Sequence, residues 1–140
     1  MDGPILAVLI HESPANFRAL AGALRDLSVE TYAVEGHHTA ISLVARLIDR
    51  HDPLLVFVDA STWRESHAEI INLAKAGHYG FNVIVLGSMP DLEAQASALA
   101  QGAYQYVAPP FSHETLAKAV HAAASDAWDR RQALAHASHP

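Results

Sequence analysis

Three uninterrupted apolar runs, Ile5–Ile10, Leu54–Val58 and Val83–Leu86, constrain this chain more than any other feature. A strand with one solvated face alternates apolar and polar residues. A continuous apolar run rich in valine, isoleucine and leucine belongs to a strand covered on both faces, as in a parallel sheet. The segments between the runs must therefore supply the cover, and their spacing is helical. Phe17, Leu20, Leu24 and Leu27 fall on one face of a helix opened by Ser13 as N-cap and Pro14 at its first position. Ile41, Val44, Ala45 and Ile48 mark a second helix within 40–50. After Ala60-Ser61-Thr62-Trp63 a third carries Ile70, Leu73 and Ala74 and closes at Gly77 and Gly80. Pro90-Asp91 opens a fourth with Leu92, Ala96 and Leu99, and Gly102 suits its C′ position. Ser112 caps a last helix carrying Leu116, Val120 and Ala124.

Two weaker strands complete the series. Val29–Val34 alternates apolar and polar residues, as expected nearer a sheet edge, and Gly36 breaks it. Tyr104–Ala108 reads as a short fifth strand before Pro109-Pro110, with Tyr104 and Tyr106 on one face. The order is β-α five times over. Right-handed crossovers then give an α/β fold, a doubly wound five-stranded parallel sheet in three layers. The expected division is a domain over 4–124 and a helical extension and tail over 125–140. The last helix is expected to run through Asp126, Trp128 and Arg131 toward Leu134, beyond what one domain of this size covers. Such an extension would fray, pair with another chain, or lead into a further domain.

Composition narrows the function. At 140 residues, 51% of them apolar and 17% charged, the chain suits one compact domain. Its net charge of −6 argues against direct nucleic-acid binding. The absence of cysteine excludes disulfides, thiol catalysis and thiolate metal sites. No apolar stretch approaches the ~20 residues needed to cross a bilayer. Met1-Asp2-Gly3-Pro4 is no signal peptide, so neither membrane nor export is expected and the default location is cytoplasmic. The ten histidines include no H-x-x-x-H pair, and His37 and His38, being adjacent, diverge; they are expected at the surface rather than on a metal.

Asp59 directly follows the second buried run. At the carboxyl end of such a strand a carboxylate faces the crevice where open α/β sheets bind ligands. It can equally cap whatever segment follows, because aspartate favours turns and helix starts. Trp63, four residues on, is expected to report on the same pocket. Enzyme alternatives are poorly served. The first turn, His11-Glu12-Ser13-Pro14, contains no glycine-rich phosphate loop, and no nucleophile-elbow glycines surround Ser88, which an imagined triad with His11 and Asp59 would need.

An acidic residue after both the first and third of five such strands resembles the receiver domain of bacterial response regulators, a flavodoxin-like fold. The likeness runs from Ile5 to the middle of the last helix. Asp59 matches the phosphoacceptor, Glu12 the second of an acidic pair, Tyr106 the aromatic switch residue, and Pro110-Phe111 the opening of the last helix. The resemblance implies a Mg2+ shell from Glu12, Asp59 and the backbone carbonyl of Ser61. It implies switching through Tyr106 and Ser88, and a partner face of Leu92, Gln95, Tyr106, His113 and Lys118. The partner would be a histidine kinase or another signalling protein, with a homodimer through the last helix as a further expectation. Pro109-Pro110 falls where the family often holds a cis peptide bond.

The departures weigh against ordinary phosphoryl chemistry. His11 replaces the first acid, Gly87 stands where a hydroxyl residue is usual with Ser88 one step late, and Pro109 replaces a lysine. Losing a positioned electrostatic donor typically costs ~3 kcal/mol of transition-state stabilisation. The expected function is therefore a receiver-like, non-enzymatic module of two-component signalling. It would act through protein contacts, with weak or absent phosphorylation of Asp59 and a weak or absent Mg2+ site. The alternative is a conventional Mg2+-dependent phosphoacceptor.

Overall fold

The computed structural model describes residues 4–11, 14–50, 52–76, 80–110 and 112–137. In chain order the elements are β1 (Ile5–His11), α1 (Pro14–Asp26), β2 (Val29–Glu35), α2 (His37–Leu47, continued by a 3-10 turn at Ile48–Arg50) and β3 (Leu54–Asp59). They continue with α3 (Ala60–Ala76), β4 (Phe81–Leu86), α4 (Leu92–Ala100), β5 (Gln105–Val107) and α5 (His113–Ala137). The sheet is parallel throughout, in the order β2-β1-β3-β4-β5. β2 is an edge strand, as its alternation implies, while β1, β3 and β4 are interior and buried along nearly their whole length.

Each interior strand feeds two cores because alternate residues point to opposite faces. Leu9, Phe57 and Ile84 pack beneath α1 and α5 with Phe17, Leu20 and Val120. Val8, Val56 and Val85 pack on the other face with Val44, Trp63 and Ala98 from α2, α3 and α4. The uninterrupted apolar runs are thus explained by two-sided cover.

Three helix ends follow local chemistry. Asp91 caps α4, its carboxylate accepting the Glu93 and Ala94 amides at 3.0 and 3.1 Å, and Gly102 takes the C′ place with φ 112°. The Ser112 hydroxyl accepts the Thr115 amide at 3.1 Å at the start of α5. The capping expected of Ser13, the stop at Gly77 and the opening role of Phe111 lie outside the described residues.

Three differences from the sequence reading stand out. β5 is shorter than expected, and Tyr104 precedes it: its amide donates to the Val83 carbonyl at 2.8 Å and its side chain is exposed. No four-residue connection separates β3 from α3, because the helix begins at Ala60. Last, α5 runs on past 124–125 as expected, but it is fastened to the body beyond that point rather than extending from it. Ala127 is fully buried. Asn82, at the start of β4, donates to the Ala123 carbonyl at 2.7 Å and to Asp126 Oδ2 at 3.0 Å. Arg130 pairs with Asp126 and donates to Asn82 Oδ1 at 2.9 Å and the Phe81 carbonyl at 3.2 Å. Arg131 donates to the carbonyls of Asp52 and Ile48, the latter at 2.8 Å. Burial holds the Arg131 guanidinium below its ordinary pKa, against the opposing charges of Asp52 and Asp49.

Candidate functional site

The sheet reverses its winding between β1 and β3, so the crevice outside their carboxyl ends is the topological switch point at which open α/β sheets bind ligands. Ile10 pairs with Val58, which sets His11 and Asp59 side by side at that edge. Glu12, expected to complete the site, lies outside the described residues.

Asp59 is half-buried and already engaged. Its Oδ1 accepts the Thr62 amide at 2.7 Å and the Ser61 hydroxyl at 3.1 Å. This is an N-cap: the carboxylate satisfies a donor in the first turn of the helix that follows it, with the favourable charge at a helix N-terminus. It also explains why α3 starts at Ala60, since a strand ending on a good cap needs no connecting loop. Asp59 Oδ2 has no hydrogen-bond partner among the described residues.

The early start of α3 changes what surrounds the carboxylate. Carbonyls of a helix's first turn point along the axis toward its C-terminus. The Ser61 carbonyl, expected among the metal ligands, is therefore directed away from Asp59, and the Ser61 hydroxyl is the group that faces it. Thr62 is fully buried with its hydroxyl unpartnered among the described residues. The His11 ring packs at a tilt on Phe17, centroids 5.8 Å apart, and its Nδ1 is buried without a described partner.

A hard divalent cation wants several oxygen ligands. Among the described residues no three His, Cys, Asp or Glu side chains converge as a metal site. Of the two carboxylates expected to ligate it, Asp59 is the one described, and one of its oxygens is committed to a helix cap.

At the end of β4, Gly87 is buried and Ser88 exposed, so Ser88 does not point into the sheet edge. Tyr106 crosses from β5 toward Gly87, and its hydroxyl donates to the Met89 carbonyl at 3.0 Å. Burial first, and the charge of Asp91 second, raise its phenol above the ordinary tyrosine pKa. The Pro109-Pro110 bond is cis.

Trp63, one turn into α3, is 2% exposed, and its indole N–H donates to Gln101 Oε1 at 2.9 Å. It reports on the packing of α3 against the end of α4 rather than on the Asp59 carboxylate, contrary to the expectation from its place in the sequence. Between these helices lies an open hollow of about 260 Å³ whose walls include Trp63, Arg64, Asp91, Gln101 and Tyr106.

The residues expected at a partner face are each at least partly exposed. Leu92 is 84% exposed and Met89 63%, with Gln95 and Tyr106 half-buried beside them. His113 and Lys118 are exposed at the start of α5, where Lys118 pairs with Glu114 at 3.2 Å. The Asn82–Asp126–Arg130 cluster has no counterpart among the sequence expectations. Asparagine inside an apolar strand run is its one visible signal.

No protein-family model matches the chain, and no curated protein matches it. Solved structures do. NtrX from Brucella abortus aligns with 91% of the chain at 23% identity and a TM-score of 0.71. The chain spans only 28% of that protein's length. A response regulator from Thermotoga maritima aligns with 88% of the chain and 99% of its own length, at 22% identity and a TM-score of 0.70. The receiver domain of Ssk1 from Saccharomyces cerevisiae, solved with the histidine phosphotransfer protein Ypd1, aligns with 87% of the chain and 90% of its own, at 17% identity and a TM-score of 0.65. No helix among the described residues is long and apolar enough to cross a membrane. Strand order, parallel register and these neighbours agree: the chain has the fold of response-regulator receiver domains.

Proposed function

We propose that the chain is a receiver-like, non-enzymatic module of two-component signalling that acts in the cytoplasm through protein contacts, with phosphoryl transfer to Asp59 weak or absent. The observation that carries this reading is the engagement of Asp59 Oδ1 by the Thr62 amide and the Ser61 hydroxyl. A phosphoacceptor needs a carboxylate oxygen presented to phosphorus and positive charge around the phosphoryl oxygens. Pro109 carries no charge where the resemblance implies a lysine, and His11 stands in place of an acid.

Contacts would then run through Leu92, Gln95, Tyr106, His113 and Lys118, with a histidine kinase or another signalling protein as partner. Ssk1, which shares the fold, was solved in complex with a phosphotransfer protein, and this supports a partner of that kind. A second copy joined through the last helix is the other occupant of this scheme.

One observation favours the alternative, a conventional phosphoacceptor. Asp59 Oδ2 has no described partner, so attack from that oxygen would leave the cap intact. Titration with Mg2+ followed by beryllofluoride, monitored by 19F NMR of the bound fluoride, separates the two. We expect no bound signal at millimolar ligand and an Asp59→Asn strain that signals normally. A saturable signal lost in Asp59→Asn, with a phenotype matching loss of the kinase, would establish the conventional receiver instead.

A further inference from the structure

Tyr106 and Gly87 occupy space that only one of them can use. Tyr106 pairs with Val85 across β4 and β5, and the Gly87 amide extends the ladder by donating to the Val107 carbonyl at 2.8 Å. From that register the phenol ring lies over the end of β4. A Cβ placed on Gly87 would fall inside the Tyr106 hydroxyl and Cζ, and 2.9 Å from its Cε2. The obstruction is the stiff end of an aromatic ring rather than a flexible chain tip. Every residue but glycine carries a Cβ, so the ring position and the glycine require each other.

We propose that Gly87 is a built-in lock that holds Tyr106 turned inward over the end of β4, whatever the state of Asp59. The lock has two parts. One is the absence of a side chain at 87, which opens the ring's berth. The other is the hydrogen bond from the hydroxyl to the Met89 carbonyl, which ties β5 to the loop between β4 and α4. No group between Asp59 and the ring has to move first, because position 87 bears none.

The lock also shapes the surface. Tyr106 walls the hollow between α3 and α4, and it lines a second one of about 240 Å³ bounded by Pro90, Leu92, Gln95 and Ala108. Fixing the ring fixes both. The consequence for signalling rests on the proposed function: a partner that reads this face would find it in its binding shape without phosphorylation. The lock itself does not rest on that reading.

The test is NMR on the full chain with selectively labelled tyrosine. In the wild-type protein we expect nuclear Overhauser contacts from the Tyr106 ring to the Gly87 α-protons. We expect the Gly87→Ala variant to lose them and to shift the amides of Ser88 to Leu92, and Tyr106→Phe to shift the Met89 and Pro90 region alone. Absence of the ring contact in the wild type, or its survival in Gly87→Ala, overturns the lock. If Gly87→Ala does not fold, the wild-type contact and the Tyr106→Phe shifts decide. Mg2+ with beryllofluoride supplies the separate arm. Ligand bound at Asp59 with the Tyr106 resonances unmoved upholds the lock and sinks the proposed loss of phosphoacceptor chemistry. Resonances that move on binding overturn the lock.

Discussion

Asp59 caps the helix that carries Thr62: its Oδ1 accepts the Thr62 amide at 2.7 Å, three residues along the chain. The same side chain that resembles a phosphoacceptor therefore also starts α3. Asp59→Ala removes the cap and should cost about 1 kcal/mol of stability. Asp59→Asn keeps an oxygen in place and, asparagine being an equally good cap, should be close to neutral. Urea denaturation of the two variants checks this. Equal losses would mean that charge, and not capping, is what Asp59 contributes.

The distinction bears on any functional test, because an alanine at this position confounds signalling with folding. Asn is the informative substitution.

Much of the fold is readable in the chain itself. The apolar runs predict the three interior strands because two-sided burial leaves no polar alternation. Val29–Glu35, with its alternation, lies at an edge. Capping at Asp91, Ser112 and Gly102 follows from side-chain and backbone chemistry that acts within four residues. The early start of α3 is hidden because Ser61 and Thr62 are residues that also favour turns. Aspartate at the last strand position permits a cap, yet nothing local says that the helix begins at the very next residue. The α5 clamp and the Tyr106 berth are contacts between residues far apart in sequence. Periodicity carries no information about them.

The partly buried polar cluster at the start of β4 should be a source of stability for the end of α5. Asn82 is 8% exposed and bridges the Ala123 carbonyl, Asp126 and Arg130. Asn82→Ala strands those groups, and leaving a buried donor or acceptor unmet costs about 1–3 kcal/mol. Arg130→Met should cost less, because Asp126 keeps its Asn82 donor and the ion pair is about a third or more exposed to solvent. The double variant should lose less than the sum, since the two share partners. Truncation after Ala124 removes buried Ala127 together with both arginines, and should lower the thermal midpoint more than either substitution. An unchanged midpoint would support the boundary expected at 124–125.

The Trp63–Gln101 contact gives an optical handle on α3 and α4. A buried indole N–H needs an acceptor. Gln101→Leu leaves it unmet, at about 1–3 kcal/mol. In a Trp128→Phe background the remaining emission belongs to Trp63, and its maximum should shift when Gln101 is replaced. Emission unaffected by that change would place the indole in a different contact.

Tyr106 should make stability fall at alkaline pH. Its phenol is raised above the ordinary value of about 10 by burial first and by the charge of Asp91 second. Between the unfolded and folded values the native state holds a proton that the unfolded chain has released. Stability therefore is fully present below the unfolded pKa and declines as pH rises through the folded one. Ionisation also removes the proton that the hydroxyl donates to the Met89 carbonyl, so the lock should open over the same range. Absorbance at the tyrosinate band, taken as wild type minus Tyr106→Phe, isolates this one group from the other three tyrosines. Asp91→Asn, which retains the α4 cap, should move the midpoint down toward the ordinary value. A Tyr106 midpoint at or below that of free tyrosine would mean that the ring is solvated and the inward berth empty in solution.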